Sequence, residues 1–166
     1  MDSDQSNNSP HADPHPPQTY SFFGSYEHSI DAKGRIIIPL TYRPSLGETF
    51  TIGPTRDFQG IALYPNGVFA QLLSEIRAMN PRKPVVQRFA DQVSKLSFPG
   101  SQADSQGRLL LPATLRQRML GEAKDLEISG AFDHVRIMDS ARAKAEDTYF
   151  TENLESILEQ LGNLDD

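Results

Sequence analysis

A chain of 166 residues without a cysteine excludes disulfides, thiolate metal sites and cysteine nucleophiles together. With 37% hydrophobic residues it can build one domain or two small ones, and no apolar run approaches the roughly eighteen residues of a membrane span. The net charge of −6 argues against a nucleic-acid partner only until it is divided along the chain. Residues 1–20 carry three acids and no base, and residues 139–166 carry eight acids against Arg142 and Lys144. The block 21–138 holds 14 bases and 11 acids, a net of +3. That mildly basic middle permits DNA contact, because backbone binding needs a local basic face and not a basic protein.

The opening "MDSDQSNNSPHADPHPPQT" has too few apolar side chains to offset its ordering entropy, so residues 1–20 are predicted to be a disordered tail. His11, Asp13 and His15 within it are read as solvated, with no metal assigned. The stretch lacks the charged-then-apolar order of a signal peptide. Structure is predicted to begin near "YSFFGSYEHSID". "IIIP", after "DAKG", is too short for a helix and reads as a buried strand. "LTYRPSLG" allows one or two helical turns, since Pro39 can open a helix and Pro44 limits it.

"ETFTIG" and "GIALYP" alternate as strands do, through Phe50 and Ile52 and through Ile61 and Leu63. Asn66 is a candidate helix cap before a stripe of Val68, Leu72, Ile76 and Met79. "NPRKP" breaks the chain at residues 80–84. A second helix is then expected, with Val86, Phe89, Val93 and Leu96 on one face. After "FPGSQAD" comes "LLLP", then a helix starting at Pro112, and "LEI" and "VRIM" as strands. "SARAKAEDTYFTENLESILEQLG" reads as one acidic C-terminal helix with Phe150, Leu154, Ile157 and Leu161 on one face.

The organising feature is a repeat: "DAKGRIIIP" at 31–39 returns as "DSQGRLLLP" at 104–112, an offset of 73 (104 − 31). Each copy reads strand, tight turn, strand, short helix, strand, strand. One copy of about fifty residues is too small to bury a core of its own. The expected fold is therefore α+β, two tandem repeats paired about a pseudo-twofold axis into a shared β-barrel, with flanking helices. The expected boundaries are 21–71 and 98–141 for the repeats, 72–97 for connecting helices and 142–166 for the C-terminal helix.

Asp31, Gly34, Asp104 and Gly107 have the chemistry of a type I turn, Asp at its first position and Gly at its fourth. Turn formation accounts for these four residues without any ligand. It accounts less well for Arg35 and Arg108, each directly after the glycine and before three aliphatics. Two arginines placed identically on paired hairpins make a rigid, symmetry-related display, and a two-stranded ribbon fits the major groove. Lys33 adds a phosphate-seeking charge at the first tip, where the second copy has Gln106. His28 and His134 sit in no catalytic or metal motif. No G-x-S-x-G, P-loop or H-E-x-x-H occurs, so no enzyme, cofactor, metal or small-molecule substrate is assigned.

Four features, "FFGSYEHSIDAKGRIIIP", "ALYP", "MNP" followed by "VQR", and "DSQGRLLLP", occur in order within residues 22–140. On these the chain resembles the MraZ family of bacterial transcriptional regulators, within the AbrB-like swapped-hairpin superfamily. The resemblance implies double-stranded DNA as partner, bound at short G-rich direct repeats in the promoter of the division and cell-wall gene cluster. It also implies ring-like homo-oligomers and a cytoplasmic, nucleoid-associated protein. Arg35 would be the main DNA contact, with Lys33 beside it and Arg108 in the matching second position. The alternative is an oligomeric interaction module that binds no DNA, as some AbrB-like antitoxins do. Its protomer contacts would come from the acidic C-terminal helix and from Phe22 and Phe23.

Overall fold

The hydrophobic alternation read above becomes eight strands and six α-helices among the described residues, which in this computed structural model are 21–164. The tail at 1–20, with His11, Asp13 and His15, lies outside them. In chain order the first half holds β1 (Ser25–Ser29), β2 (Arg35–Ile37), a 3₁₀ turn (Leu40–Tyr42), α1 (Arg43–Leu46), β3 (Phe50–Pro54) and β4 (Ile61–Pro65). Two helices follow, α2 (Asn66–Ala78) and α3 (Pro84–Leu96). The second half holds β5 (Phe98–Ser101), β6 (Arg108–Leu110), α4 (Ala113–Leu120), β7 (Asp125–Gly130) and β8 (Val135–Asp139). The chain continues into α5 (Ser140–Glu152) and α6 (Leu154–Gly162).

Six strands form one antiparallel sheet in the order β1-β7-β8-β4-β3-β5, and β2 pairs with β6 in a separate two-stranded ribbon. Strands from the two halves are thus neighbours in both sheets. The ribbon and the inner sheet face enclose the main core, where Ile36, Ile38, Leu109 and Leu111 meet Phe50, Ile52, Ile61, Leu63, Ile128 and Ile137. Leu115 of α4 and Leu46 of α1 close this core. On the opposite face Ala62 and Tyr64 pack against Leu72, Ile76 and Val93 of α2 and α3. Tyr42 ties the inner layer to the chain's start, its buried hydroxyl donating to the carbonyls of Phe23 (2.9 Å) and Gly24 (2.8 Å).

Several expectations change. The strands on either side of each turn do not zip together: β1 pairs with β7, and β2 with β6. A turn dictates only its own closure, while the longer pairing goes to whichever strand buries Ile36 and Leu109 together. The run "IIIP" is not buried throughout. Ile36 and Ile38 are buried, but Ile37 is 45% exposed, as strand alternation requires of a one-sided core. Asn66 does not cap α2; Pro65 precedes the helix and the Asn66 amide donates instead to Thr49 Oγ1 at 3.1 Å. Pro112 likewise precedes α4, which starts at Ala113.

The C-terminal segment is two helices. Asn153 ends α5 and precedes α6 outside helical geometry, with its amide donating back to the Tyr149 carbonyl. A side chain that competes for nearby backbone groups favours such a break. Of the predicted stripe, Phe150, Leu154 and Leu161 are exposed.

Candidate nucleic-acid interface

The two turns are built by the same bonds. In the first, Asp31 Oδ1 accepts from the amides of Lys33 (2.9 Å) and Arg35 (2.8 Å), and Gly34 N–H closes onto the Asp31 carbonyl at 3.0 Å. In the second, Asp104 Oδ1 accepts from Gln106 (2.9 Å) and Arg108 (2.9 Å), with Gly107 N–H on the Asp104 carbonyl at 2.9 Å. Gly34 and Gly107 sit at φ of 81° and 79°, the left-handed region that other residues enter only at a cost. Asp31 and Gly34, and likewise Asp104 and Gly107, are joined within their own turns by these bonds.

Each aspartate also holds its arginine. Arg35 Nε donates to Asp31 Oδ2 at 2.7 Å and Arg108 Nε to Asp104 Oδ2 at 2.6 Å. Backbone donation from Arg35, then the Arg35 side chain and the Lys33 amide, keeps the Asp31 carboxyl below the usual carboxylate range. Asp104 is lowered in the same way, first by the Arg108 amide and then by its guanidinium. A carboxylate that engages Nε fixes the plane of the guanidinium and leaves the terminal nitrogens, which make no hydrogen bond to a described residue. Two parallel donors in one plane are what bidentate recognition of guanine or phosphate requires.

The ribbon brings the two arginines onto one face. Its register sets Arg35 opposite Leu110 and Arg108 opposite Ile37, while Ile36 and Leu109 face each other and point inward. Diagonal neighbours in such a pair lie about 7–8 Å apart. The outward face thus carries two arginines with two exposed aliphatics, Ile37 and Leu110, the latter 60% exposed. Lys33 stands exposed at the first tip and Gln106 at the second.

Two further arginines were not singled out from sequence. Arg43, from α1, donates through Nε to the Ile38 carbonyl (2.8 Å) and through Nη2 to the Gln106 carbonyl (3.2 Å), and its guanidinium covers Gly107. Arg116, from α4, covers Gly34 in the same way: a Cβ on that glycine would overlap Arg116 Nη1 and lie 2.8 Å from Cζ. Each half thus lays an arginine across the other half's turn. Backbone bonds cross likewise, Ile38 N–H to the Gly107 carbonyl (2.9 Å) and Leu111 N–H to the Gly34 carbonyl (3.0 Å). The sequence signal was available, since Arg43 and Arg116 keep the offset of 73 (116 − 43). His28 is a scaffold residue, its Nε2 accepting the Ile37 amide at 3.2 Å.

Comparison with known proteins points to one family. A family model described as "MraZ protein, putative antitoxin-like" matches residues 21–92. A transcriptional regulator MraZ from Acetivibrio thermocellus is 32% identical over 149 residues, covering 86% of this chain and 98% of that protein. The chain belongs to the MraZ family. A MraZ regulator from Lactiplantibacillus plantarum is 33% identical over 144 residues, 84% of this chain and 97% of the relative. Another, from Herpetosiphon aurantiacus, is 40% identical over 100 residues, 58% of this chain and 66% of its own length. The MraZ model spans the first turn and ends before the second, which starts at Asp104.

Proposed function

We propose that this chain is a sequence-specific DNA-binding transcriptional regulator that reads short G-rich direct repeats in the promoter of the division and cell-wall gene cluster. The carrying observation is the shared outward face of the β2–β6 ribbon, with Arg35 and Arg108 each held by a turn aspartate. Arg35 makes the principal base or phosphate contact, Lys33 adds a phosphate contact, and Arg108 acts from the second turn. The relatives' names support the regulatory role.

Residues 21–71 and 98–141 are read as two AbrB-like swapped-hairpin repeats about a pseudo-twofold axis, joined by 72–97 and followed by 142–166. The constant offset of 73 and the crossed bonds of Ile38 and Leu111 support that reading. The shared barrel is then the six-stranded sheet closed over by the ribbon.

So few cations per protomer bind DNA weakly, and joining protomers makes later contacts intramolecular. We accordingly assign self-association, as a ring-like homo-oligomer, and a place on the nucleoid in the cytoplasm. The exposed apolar residues of α5 and α6, among them Tyr149, Phe150, Leu158 and Leu161, support self-association. They also favour the second reading, an interaction module without DNA, which the "antitoxin-like" description of the matching model fits as well.

The deciding experiment is a binding titration with duplex DNA from upstream of the chain's own gene, repeated across salt concentrations. A DNA regulator loses affinity steeply as salt rises. An apolar protein interface is far less sensitive, and failure of the chain to bind any duplex would leave only the module reading.

A further inference from the structure

The two turns share a backbone but not the state of the arginine laid across them. Arg43 is committed: it donates to the Ile38 carbonyl and to the Gln106 carbonyl, so its guanidinium is a strut under the second turn. Arg116 covers Gly34 from the equivalent position, yet its side chain makes no hydrogen bond or ion pair with any described residue. It is half-buried and borders an open hollow of about 200 Å³ beside the first turn. A half-buried guanidinium with unfilled donors, held against a glycine whose neighbours are Lys33 and Arg35, is placed to receive an anion from solvent.

The surrounding charge fits. Of the two carboxylates lining the hollow, Asp31 already accepts from the Lys33 amide, the Arg35 amide and Arg35 Nε. Glu122 and Lys124, one acid and one base, both line the same hollow. At the second turn Gln106 stands where Lys33 does, and the brace is spent on carbonyls. The first turn therefore gathers Lys33, Arg35 and Arg116, against Arg108 alone at the second, where Arg43 is spent on carbonyls.

We propose that Arg116 is a DNA-phosphate contact supplied in cis by the second half of the chain to the first turn, making the primary site a composite of both halves. This rests on the DNA-binding reading above and adds to it a residue outside the D-x-x-G-R motif. It also makes the unequal roles of the two turns a consequence of how their braces are used, beyond the Lys33 and Gln106 difference.

The test uses the full chain and the same upstream duplex, titrated by fluorescence anisotropy at several salt concentrations with wild type, Arg35→Ala, Arg116→Gln, Arg116→Lys and Arg43→Gln. One lost phosphate contact flattens the plot of log K against log salt by about 0.9 per bound protomer and weakens binding about fivefold at 0.15 M salt. Arg116→Gln should show both changes, Arg116→Lys should keep the wild-type slope, and Arg43→Gln should leave the slope alone. An Arg116→Gln chain with unchanged affinity, or with weaker binding at an unchanged slope, overturns the proposal, the latter because it marks a packing role. If Arg35→Ala abolishes binding in the same series, that outcome leaves the regulator reading standing while Arg116 falls. If wild type does not bind, or Arg35→Ala binds as tightly as wild type, the reading itself falls.

Discussion

The turns at Asp31–Arg35 and Asp104–Arg108 agree in every backbone bond to about 0.1 Å, yet their tips differ in charge and in bracing. Aspartate and glycine set the shape, and both copies keep them. The tip side chain contributes nothing to that shape, so Lys33 in one turn and Gln106 in the other leave the backbone alike. Shape and charge are thus carried by different residues, which lets one half specialise without unfolding the other.

The strongest check on the equivalence of the halves is at the ribbon's inner pair. Ile36→Ala and Leu109→Ala each remove a side chain buried to within 2% and facing the other. Both should cost about 2–5 kcal/mol, by equal amounts, in urea unfolding. A large inequality would mean that one half carries the fold alone.

Alanine at the turn glycines should separate the two braces. At Gly34 or Gly107 alanine must hold a left-handed φ, at about 1–2 kcal/mol, and must also push a guanidinium aside. Gly107→Ala should be the more destabilising, because Arg43 is anchored to two carbonyls and Arg116 to none. Equal losses in thermal unfolding would mean that the anchoring is energetically empty.

Exchanging tip charges is a smaller perturbation. Lys33→Gln should weaken DNA binding about fivefold at 0.15 M salt, the counter-ion share of one contact. Gln106→Lys should strengthen it only if the second turn also meets phosphate, and should otherwise do nothing.

The smallest effect is on pH dependence. Asp31 and Asp104 have folded-state values below the ordinary 3.8. Their stabilising contribution is therefore complete above about pH 4 and is lost as pH falls through the folded value. Asp31→Asn and Asp104→Asn should each flatten the acid limb of the stability curve by a similar amount. A flattening from one only would contradict the matched hydrogen bonding.

What the sequence discloses follows the range of the interaction. The turns were legible because Asp, Gly and their spacing close a loop through bonds spanning four residues. The helices at Asn66–Ala78 and Pro84–Leu96 were legible because one stripe of each meets the sheet. The pairing of β2 with β6 was not, since Ile36 and Leu109 would alternate identically against any apolar partner. Nor did local pattern separate the buried Ile36 from the exposed Ile37 beside it. Arg43 and Arg116 look like ordinary helix-surface arginines, and their role exists only across the two halves. Asn153 breaks the C-terminal helix by a local bond to Tyr149 that a periodic apolar stripe conceals.

The most direct measurement is the dissociation constant of the upstream duplex for Arg35→Ala beside Arg108→Ala, at one salt concentration, with folding and assembly state verified for both. The expected result is loss of binding for Arg35→Ala and a partial loss for Arg108→Ala, both chains folded and assembled as wild type. Wild-type affinity in Arg35→Ala, or a greater loss in Arg108→Ala, would contradict the assignment of the first turn as the leading DNA contact.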